Sequence, residues 1–329
     1  MSLHPAFRFA ASAAAITKNP SRVPTLLRVL VVAVIGWLAS GPVRAELLWS
    51  VTGSLNKIDP AAATNPASNG SAITSQISGG FGVAADGAIY AYSASVGGGT
   101  IGKFALDGTV LNSSLVTGLS NVGEVLTQGN DFWVVRNSPL EARRYDSAGS
   151  LQQTINLSVM STAARAMAID SVGNYYFLNS NQVFKYNSAG NWTGGFVTIS
   201  GQTLFDILID SSDNLFISST SGGAIYKTDT DLATPTSYIA SLSTPRGLAI
   251  DAESNLYVMN SFANQISKYS STGSLIEANY LFGISPSGSG QWMAVVVPEP
   301  STLTLVAVAG LGGVAALRRR RRRRSKAAE

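Results

Sequence analysis

Short apolar segments alternate with short polar turns along most of the chain, and the alternation repeats. Within residues 246–273, Leu248, Ala249 and Ile250 are apolar and residues 251–255 are turn formers. Leu256, Tyr257, Val258 and Met259 follow, then a polar stretch at 261–264, then residues 265–269, closed by Ser-Ser-Thr-Gly. Apolar runs this short, bounded by Asp, Asn, Ser and Gly, predict three strands rather than helices. The same arrangement starts at Phe81 (FGVAADGAIYAY), Gly123 (GEVLTQGNDFWVV), Arg165 (RAMAIDSVGNYYFL), Phe205 (FDILIDSSDNLFIS) and Arg246 (RGLAIDAESNLYVM).

Two landmarks hold one period. The turn residues Asp86, Gln128, Asp170, Asp210 and Asp251 are spaced 42, 42, 40 and 41 apart. A basic residue recurs near the end of each third strand, at Lys103, Arg144, Lys185, Lys227 and Lys268. A period of roughly 40–45 residues with several short strands per unit is the mark of a β-propeller. The ends fit the same scheme. Residues 46–59 (ELLWSVTGSLNKID) match the second and third strands of a unit without a first, and residues 292–297 (WMAVVV) match a first strand with nothing after it. Residues 46–297 number 252, six times 42. The predicted fold is all-β, a six-bladed β-propeller closed by strands from both termini, an arrangement that hides sheet edges.

The acids that mark the repeat fall in Asp-x-x-x-Asn links, at Asp170/Asn174, Asp210/Asn214 and Asp251/Asn255. Asp and Asn side chains bond nearby backbone amides and tolerate left-handed dihedrals, so these links predict hairpin turns. Calcium is the alternative reading of the same acids, but no DxDxDG loop is present. The units resemble NHL repeats, whose pattern is Gly, an apolar-Ala-apolar-Asp run, a spacer, then Asn or Gly before an apolar-aromatic-apolar strand, and a basic-aromatic third strand. Residues 246–273 and 165–190 match best, and 123–149 departs from the pattern with Gln128 in place of Asp. The resemblance implies a six-bladed propeller with a binding or scaffolding role, and names no ligand.

Charge and composition then narrow the chemistry. Between residues 46 and 316 the chain keeps 10 of its 23 basic and 18 of its 19 acidic residues, so the body carries a formal charge of about −8 although the whole chain is +4. An acidic body argues against a nucleic-acid partner. No cysteine is present and the only histidine is His4. Thiol nucleophiles, disulfides and zinc-thiolate sites are excluded, and the body lacks the commonest general base and metal ligand. No cofactor is expected.

The basic residues gather at the two ends. Arg8, Lys18, Arg22 and Arg28 lead into the apolar run 29–39, which Gly41-Pro42 breaks before Val43-Arg44-Ala45. Basic region, short apolar core and small residues before a cut describe a secretory signal over 1–45, cleaved by signal peptidase after Ala45. At the other end, 298–329 holds Pro298, Glu299 and Pro300, an apolar stretch at 303–316, and the run Arg318, Arg319, Arg320, Arg321, Arg322, Arg323 and Arg324. The apolar stretch forms a minimal transmembrane helix, and the arginines hold its far end cytoplasmic. This layout resembles a PEP-CTERM sorting signal. The resemblance implies recognition of Pro298, Glu299 and Pro300 by an exosortase after transient membrane insertion. It also implies an inner-membrane-anchored precursor and a processed product at the cell surface or in an exopolysaccharide matrix.

Propeller ligands sit at the mouth of the central channel. Residues at the starts of the first strands there are Phe81, Glu124, Arg165, Asp206, Arg246 and Trp292, with Phe205 beside Asp206. Aromatic faces stack on sugar rings and arginines clamp acidic groups, so these residues are the candidate site for a glycan or a surface protein. The bland alternative pairs the arginines with the acids and packs the aromatics between blades. Two other classes stay open. A resemblance to six-bladed SMP-30-like lactonases would make Glu124 and Asp206 part of a divalent-metal site, but no Asn falls on a first strand. A purely structural matrix spacer is the third reading, and no catalytic set is assigned.

Overall fold

The computed structural model describes residues 46–51, 54–58, 71–74, 77, 79–94, 98–282, 284 and 291–296. All of them belong to one compact unit spanning 44–297. The signal segment with Ala45, and the sorting segment with Pro298, Glu299, Pro300 and Arg318 to Arg324, lie outside the described residues.

The three inner strands of each repeat form where the apolar runs predict them. A fourth, outer strand, largely exposed in five of the blades and absent from the three-strand reading because it lacks an apolar run, completes each of six four-stranded antiparallel sheets. One sheet is composite: β1 (Glu46–Val51), β2 (Ser54–Ile58) and β3 (Ser71–Thr74) are joined at β1 by β24 (Met293–Val296) from the far end of the body. The other five sheets are contiguous in sequence. They are β4 (Phe81–Val83), β5 (Ile89–Ser93), β6 (Gly99–Phe104) and β7 (Val110–Leu119); then β8 (Val122–Gln128), β9 (Asp131–Asn137), β10 (Leu140–Tyr145) and β11 (Leu151–Asn156). Next come β12 (Ala166–Ile169), β13 (Tyr175–Leu178), β14 (Gln182–Tyr186) and β15 (Trp192–Thr198), followed by β16 (Leu204–Ile209), β17 (Leu215–Ser219), β18 (Ala224–Thr228) and β19 (Thr236–Ile239). The last contiguous sheet is β20 (Pro245–Ile250), β21 (Leu256–Asn260), β22 (Gln265–Tyr269) and β23 (Leu275–Phe282). The innermost strands β4, β8, β12, β16, β20 and β24 each touch the next, and β24 returns to β4. This is a β-propeller.

Each sheet packs both faces against neighbours, so the second strands are apolar without alternation. β13, β17 and β21 are buried along their whole length. Between the second and third contiguous blades, Trp133, Val135 and Ile155 pack on Met167, Tyr175, Phe177 and Tyr186. Trp133, Phe177 and Tyr186 are fully buried, and each contributes roughly 2 kcal/mol by leaving water.

The recurring basic residue of the sequence has a specific task. In the five contiguous blades it lies directly across from an aromatic on the second strand: Lys103 opposite Tyr90, Arg144 opposite Trp133, Lys185 opposite Tyr176, Lys227 opposite Phe216 and Lys268 opposite Tyr257. In each pair the cation sits over the ring, 5.0 to 5.9 Å from its centroid. One cross-strand cation–π pair per blade adds about 1 kcal/mol apiece and covers an aromatic edge with a solvated charge.

Closure of the ring fixes what sits at its centre. β24 pairs with β1 from Glu46 opposite Val296 to Trp49 opposite Met293. Just beyond the ladder, the Ser50 N–H donates to the Trp292 carbonyl at 2.9 Å, and the Trp292 N–H donates to Ser50 Oγ at 3.1 Å. A residue near the amino end of the body thereby holds Trp292 in place at the end of the channel.

Candidate functional site

Counting back from each turn acid, the position five residues earlier holds Phe81, Gly123, Arg165, Phe205 and Arg246, with Trp292 at the start of β24. The next position holds Gly82, Glu124, Ala166, Asp206, Gly247 and Met293. Neighbouring residues of a strand point to opposite sides, so these two positions build two different layers. The ladder breaks at this point in three blades, with register shifts between Val122 and Glu124, Leu204 and Ile207, and Pro245 and Leu248. A bulge of this kind re-aims side chains and leaves backbone groups to be satisfied from elsewhere.

The first layer is a concave mouth of about 620 Å³ lined by Gly123, Arg165, Phe205, Arg246 and Trp292, together with Asn137, Thr203 and Thr220 from neighbouring strand ends. The Arg246 guanidinium lies over the Phe205 ring, 5.1 Å from its centroid. Phe205 in turn faces Trp292 at 6.4 Å with the planes tilted by 46°. Burial draws the Arg246 pKa below its ordinary value, and the positive charge of Arg165 pulls it the same way. Arg165 is exposed, while Arg246, Phe205 and Trp292 are half-buried. No carboxylate is among the described residues that line this cavity.

The second layer is inside the channel. Glu124 and Asp206 are buried and line a separate cavity of about 200 Å³ with Phe81, Val83, Thr127 and residues of β16, β20 and β24. Each acid reaches across to the next blade. Glu124 accepts a hydrogen bond from the Met167 N–H, and Asp206 Oδ2 accepts one from the Leu248 N–H at 2.8 Å. Asp206 Oδ1 accepts from its neighbour Ile207 N–H at 2.8 Å, and the Asp206 N–H donates to Ser218 Oγ at 3.0 Å. Small residues stand where the carboxylates pass, Ala166 before Met167 and Gly247 before Leu248. Loss of solvation raises both carboxyls, Glu124 well above its usual range, with the charge of Asp206 adding to the rise. Asp206 is pushed up to about 7 by burial, against the two backbone donors that favour its charged form.

The six residues grouped by the sequence therefore separate. Arg165, Arg246 and Trp292 meet at the mouth. Glu124 and Asp206 do not join them; they tie adjacent blades together below it. Phe81 turns into a core with Leu48, Leu55, Ile77 and Ile89. Both Asp206 oxygens accept from backbone N–H groups, and the described lining of that cavity adds no Asn or His to the two carboxyls. Among the described residues no three His, Cys, Asp or Glu side chains converge to hold a metal. The turn acids are turn acids. Asp170 accepts from the Asn174 N–H at 2.7 Å and Nδ2 at 2.8 Å, and Asp251 accepts from Asn255 in the same way at 2.7 and 2.9 Å. Asn137, Thr203 and Thr220 were not legible as mouth residues, because they reach it from the ends of other strands.

Residues 296–323 match the PEP-CTERM protein-sorting motif, so the chain carries the signature of an exported protein processed at the membrane by an exosortase. No curated protein matches the chain. The propeller is similar to a chain of a nidogen/laminin complex, at 13% identity and a TM-score of 0.62, covering 77% of this chain and 98% of that one. It is also similar to a streptogramin B lyase (14% identity, TM-score 0.53, 65% of this chain and 75% of that one) and to a Bacteroides caccae protein of unknown function (12% identity, TM-score 0.57, 77% and 98%). At such identities the likeness concerns the fold.

Proposed function

We propose that the propeller is a non-enzymatic binding module, presented at the cell surface or in an exopolysaccharide matrix once exosortase has processed the chain, and that its ligand is a glycan or surface protein seated in the mouth. The observation that carries this reading is the mouth itself. Four side chains from different blades, Arg165, Phe205, Arg246 and Trp292, converge on one cavity of about 620 Å³, within the size range of ligand sites. None of the four is needed to complete the repeat, since other blades carry different residues at the same count.

The test is a glycan array probed with the processed protein isolated from cells. Binding by the wild type that is lost in the Arg165→Ala/Arg246→Ala double variant supports the reading. A blank array for the wild type removes the glycan form of it. Intact-mass measurement on the same material locates both cuts. Glu299→Ala is expected to leave the sorting segment uncut, and unchanged processing in that variant would dissociate this protein from exosortase.

A further inference from the structure

The strand register gives the body two ends. Arg165 and Trp292 mark the mouth, and each first strand runs from there to its turn. In the third contiguous blade Ile169 pairs with Tyr175, Tyr175 with Tyr186 and Tyr186 with Trp192, so Trp192 lies at the end away from the mouth, beside Asp170. The composite blade follows the same rule. β24 starts next to Trp292 and ends at Val296, which pairs with Glu46. The body therefore joins the rest of the chain, on both sides, at its far end. In the sequence the apolar stretch 303–316 begins seven positions after Val296, and the apolar run 29–39 ends seven positions before Glu46. Seven residues span at most about 25 Å. A chain anchored in the membrane through 303–316 keeps its far end within that distance of the bilayer, and its mouth a strand length, roughly 17 Å, further out.

The side chains of the far end fit such a neighbour. In four blades the outer strand opens there on an apolar residue, Val110, Leu151, Trp192 or Leu275, and these are 43% to 56% exposed. Val172, in the turn after Asp170, is exposed as well. Exposed apolar residues scattered singly need no explanation. These recur at one position of the repeat and at one end of the body, and Trp is a side chain that favours a lipid–water boundary. The same end carries the turn acids and the exposed Asp107, Asp229 and Glu253, which anionic lipid repels. The recurring basic residues of that end lie over aromatic rings. A rim of this mixed character has little affinity for lipid on its own, and a short tether supplies the effective concentration that it lacks.

We propose that in the membrane-anchored precursor the end of the propeller opposite the mouth lies against the bilayer surface, with Leu151, Trp192 and their equivalents at the lipid headgroups. The mouth then points away from the membrane, and the body leaves the bilayer once the tether is cut. This depends on anchoring through the sorting segment and not on what the mouth binds.

The chain has no cysteine, so single introduced cysteines report position. Ser147→Cys lies in the far-end turn between β10 and β11, and Phe262→Cys in the mouth-end turn between β21 and β22. Each is labelled with a fluorescent maleimide in the unprocessed chain, which is reconstituted into phosphatidylcholine vesicles carrying a headgroup nitroxide. The probe at 147 is expected to be quenched at least about threefold more strongly than the probe at 262, since a strand length separates the two ends. The Leu151→Ala/Trp192→Ala double variant changes exposed side chains only, and is expected to lower the quenching at 147 about twofold. The processed body is expected to stay in the soluble fraction when the same vesicles are floated, with or without phosphatidylglycerol. Equal quenching of the two probes, or stronger quenching at 262, overturns the orientation. Quenching at 147 that the double variant leaves unchanged removes the apolar rim as the contact, and flotation of the processed body removes the dependence on the tether. If the unprocessed chain instead forms a dimer that the double variant abolishes, with no quenching at 147, the rim belongs to a second copy and the proposal fails.

Discussion

Phe205 and Asp206 are adjacent residues with different tasks. Phe205 faces the mouth and supports Arg246. Asp206 faces the channel and caps the Leu248 N–H of the next blade. Glu124 repeats the second task two blades earlier, capping Met167, while Gly123 beside it lines the mouth. The charged groups of one layer, Arg165 and Arg246, line the mouth. Those of the other are spent on holding the ring, and burial holds them near neutrality. The difference teaches that charge at the centre of a propeller is not one property: a shift of one residue along a bulged strand exchanges recognition for construction.

The comparison breaks most severely at Gly247. A Cβ there would stand 2.5 Å from the Gln291 carbonyl oxygen, a backbone atom, so Gly247→Ala must displace β20 or the segment leading into β24. Overpacking of this kind costs about 1–3 kcal/mol, or roughly 5 °C in the midpoint for a domain of this size. Thermal unfolding measures it, and ligand binding should fall with it because Trp292 follows Gln291.

The channel layer is expected to show itself in the pH dependence of stability. A carboxyl whose folded pKa lies above its unfolded one binds protons more tightly when folded, so stability falls as pH rises between the two values. With Asp206 at about 7, its contribution should decline from about pH 4 to about pH 7, by on the order of 1–3 kcal/mol, and the raised Glu124 beside it adds to the fall in the same direction. Asp206→Asn keeps an acceptor for the Leu248 N–H and should flatten much of that decline. A wild-type midpoint that rises from pH 5 to pH 8 would contradict the description of this layer.

Smaller effects sharpen the contrast with the turns. Asp251 accepts from Asn255 and from the Tyr257 hydroxyl at 3.1 Å, and its Oδ2 lies 3.4 Å from Lys268 Nζ. Asp251→Ala should cost about 1–3 kcal/mol through the unsatisfied partners it leaves, with no change in ligand preference. The gentlest change is Ser254→Gly. Ser254 has φ of +63° where the equivalent residue of another blade, Gly173, has +87°. Relieving that left-handed conformation should stabilise the fold by roughly 0.5–1 kcal/mol, visible as a small rise in midpoint.

The repeat, its three inner strands and its turns were legible because each depends on local chemistry: Asp-x-x-x-Asn closes a hairpin wherever it occurs, and apolar runs of that length pack as strands. The outer fourth strand was not, because it is largely exposed and carries no apolar run. The joining of residues 46–51 to 293–296 was legible as well, since each end lacked what the other supplied. The basic landmark could be counted, but its reason, a cation over the aromatic opposite, needed the register. The site was half legible. Arg165, Arg246 and Trp292 do line one cavity, but Glu124 and Asp206 were grouped with them because counting from the turn does not see the bulges in β8 and β16. Phe81 has the same count as Arg165, yet it turns inward, because Leu48 of the composite sheet joins the nearby Ile77 in offering it a core.

The most direct test sets one residue of each layer against the other. Arg165→Gln and Asp206→Asn are compared for the pH dependence of the unfolding midpoint and for affinity toward a saccharide that the wild type binds on the glycan array. The two should separate cleanly: Arg165→Gln loses affinity and keeps the wild-type pH profile of stability, while Asp206→Asn flattens that profile and keeps affinity within about twofold. If Arg165→Gln flattens the profile, or if Asp206→Asn loses affinity as deeply as Arg165→Gln does, the two layers are one site and the division of labour described here is wrong.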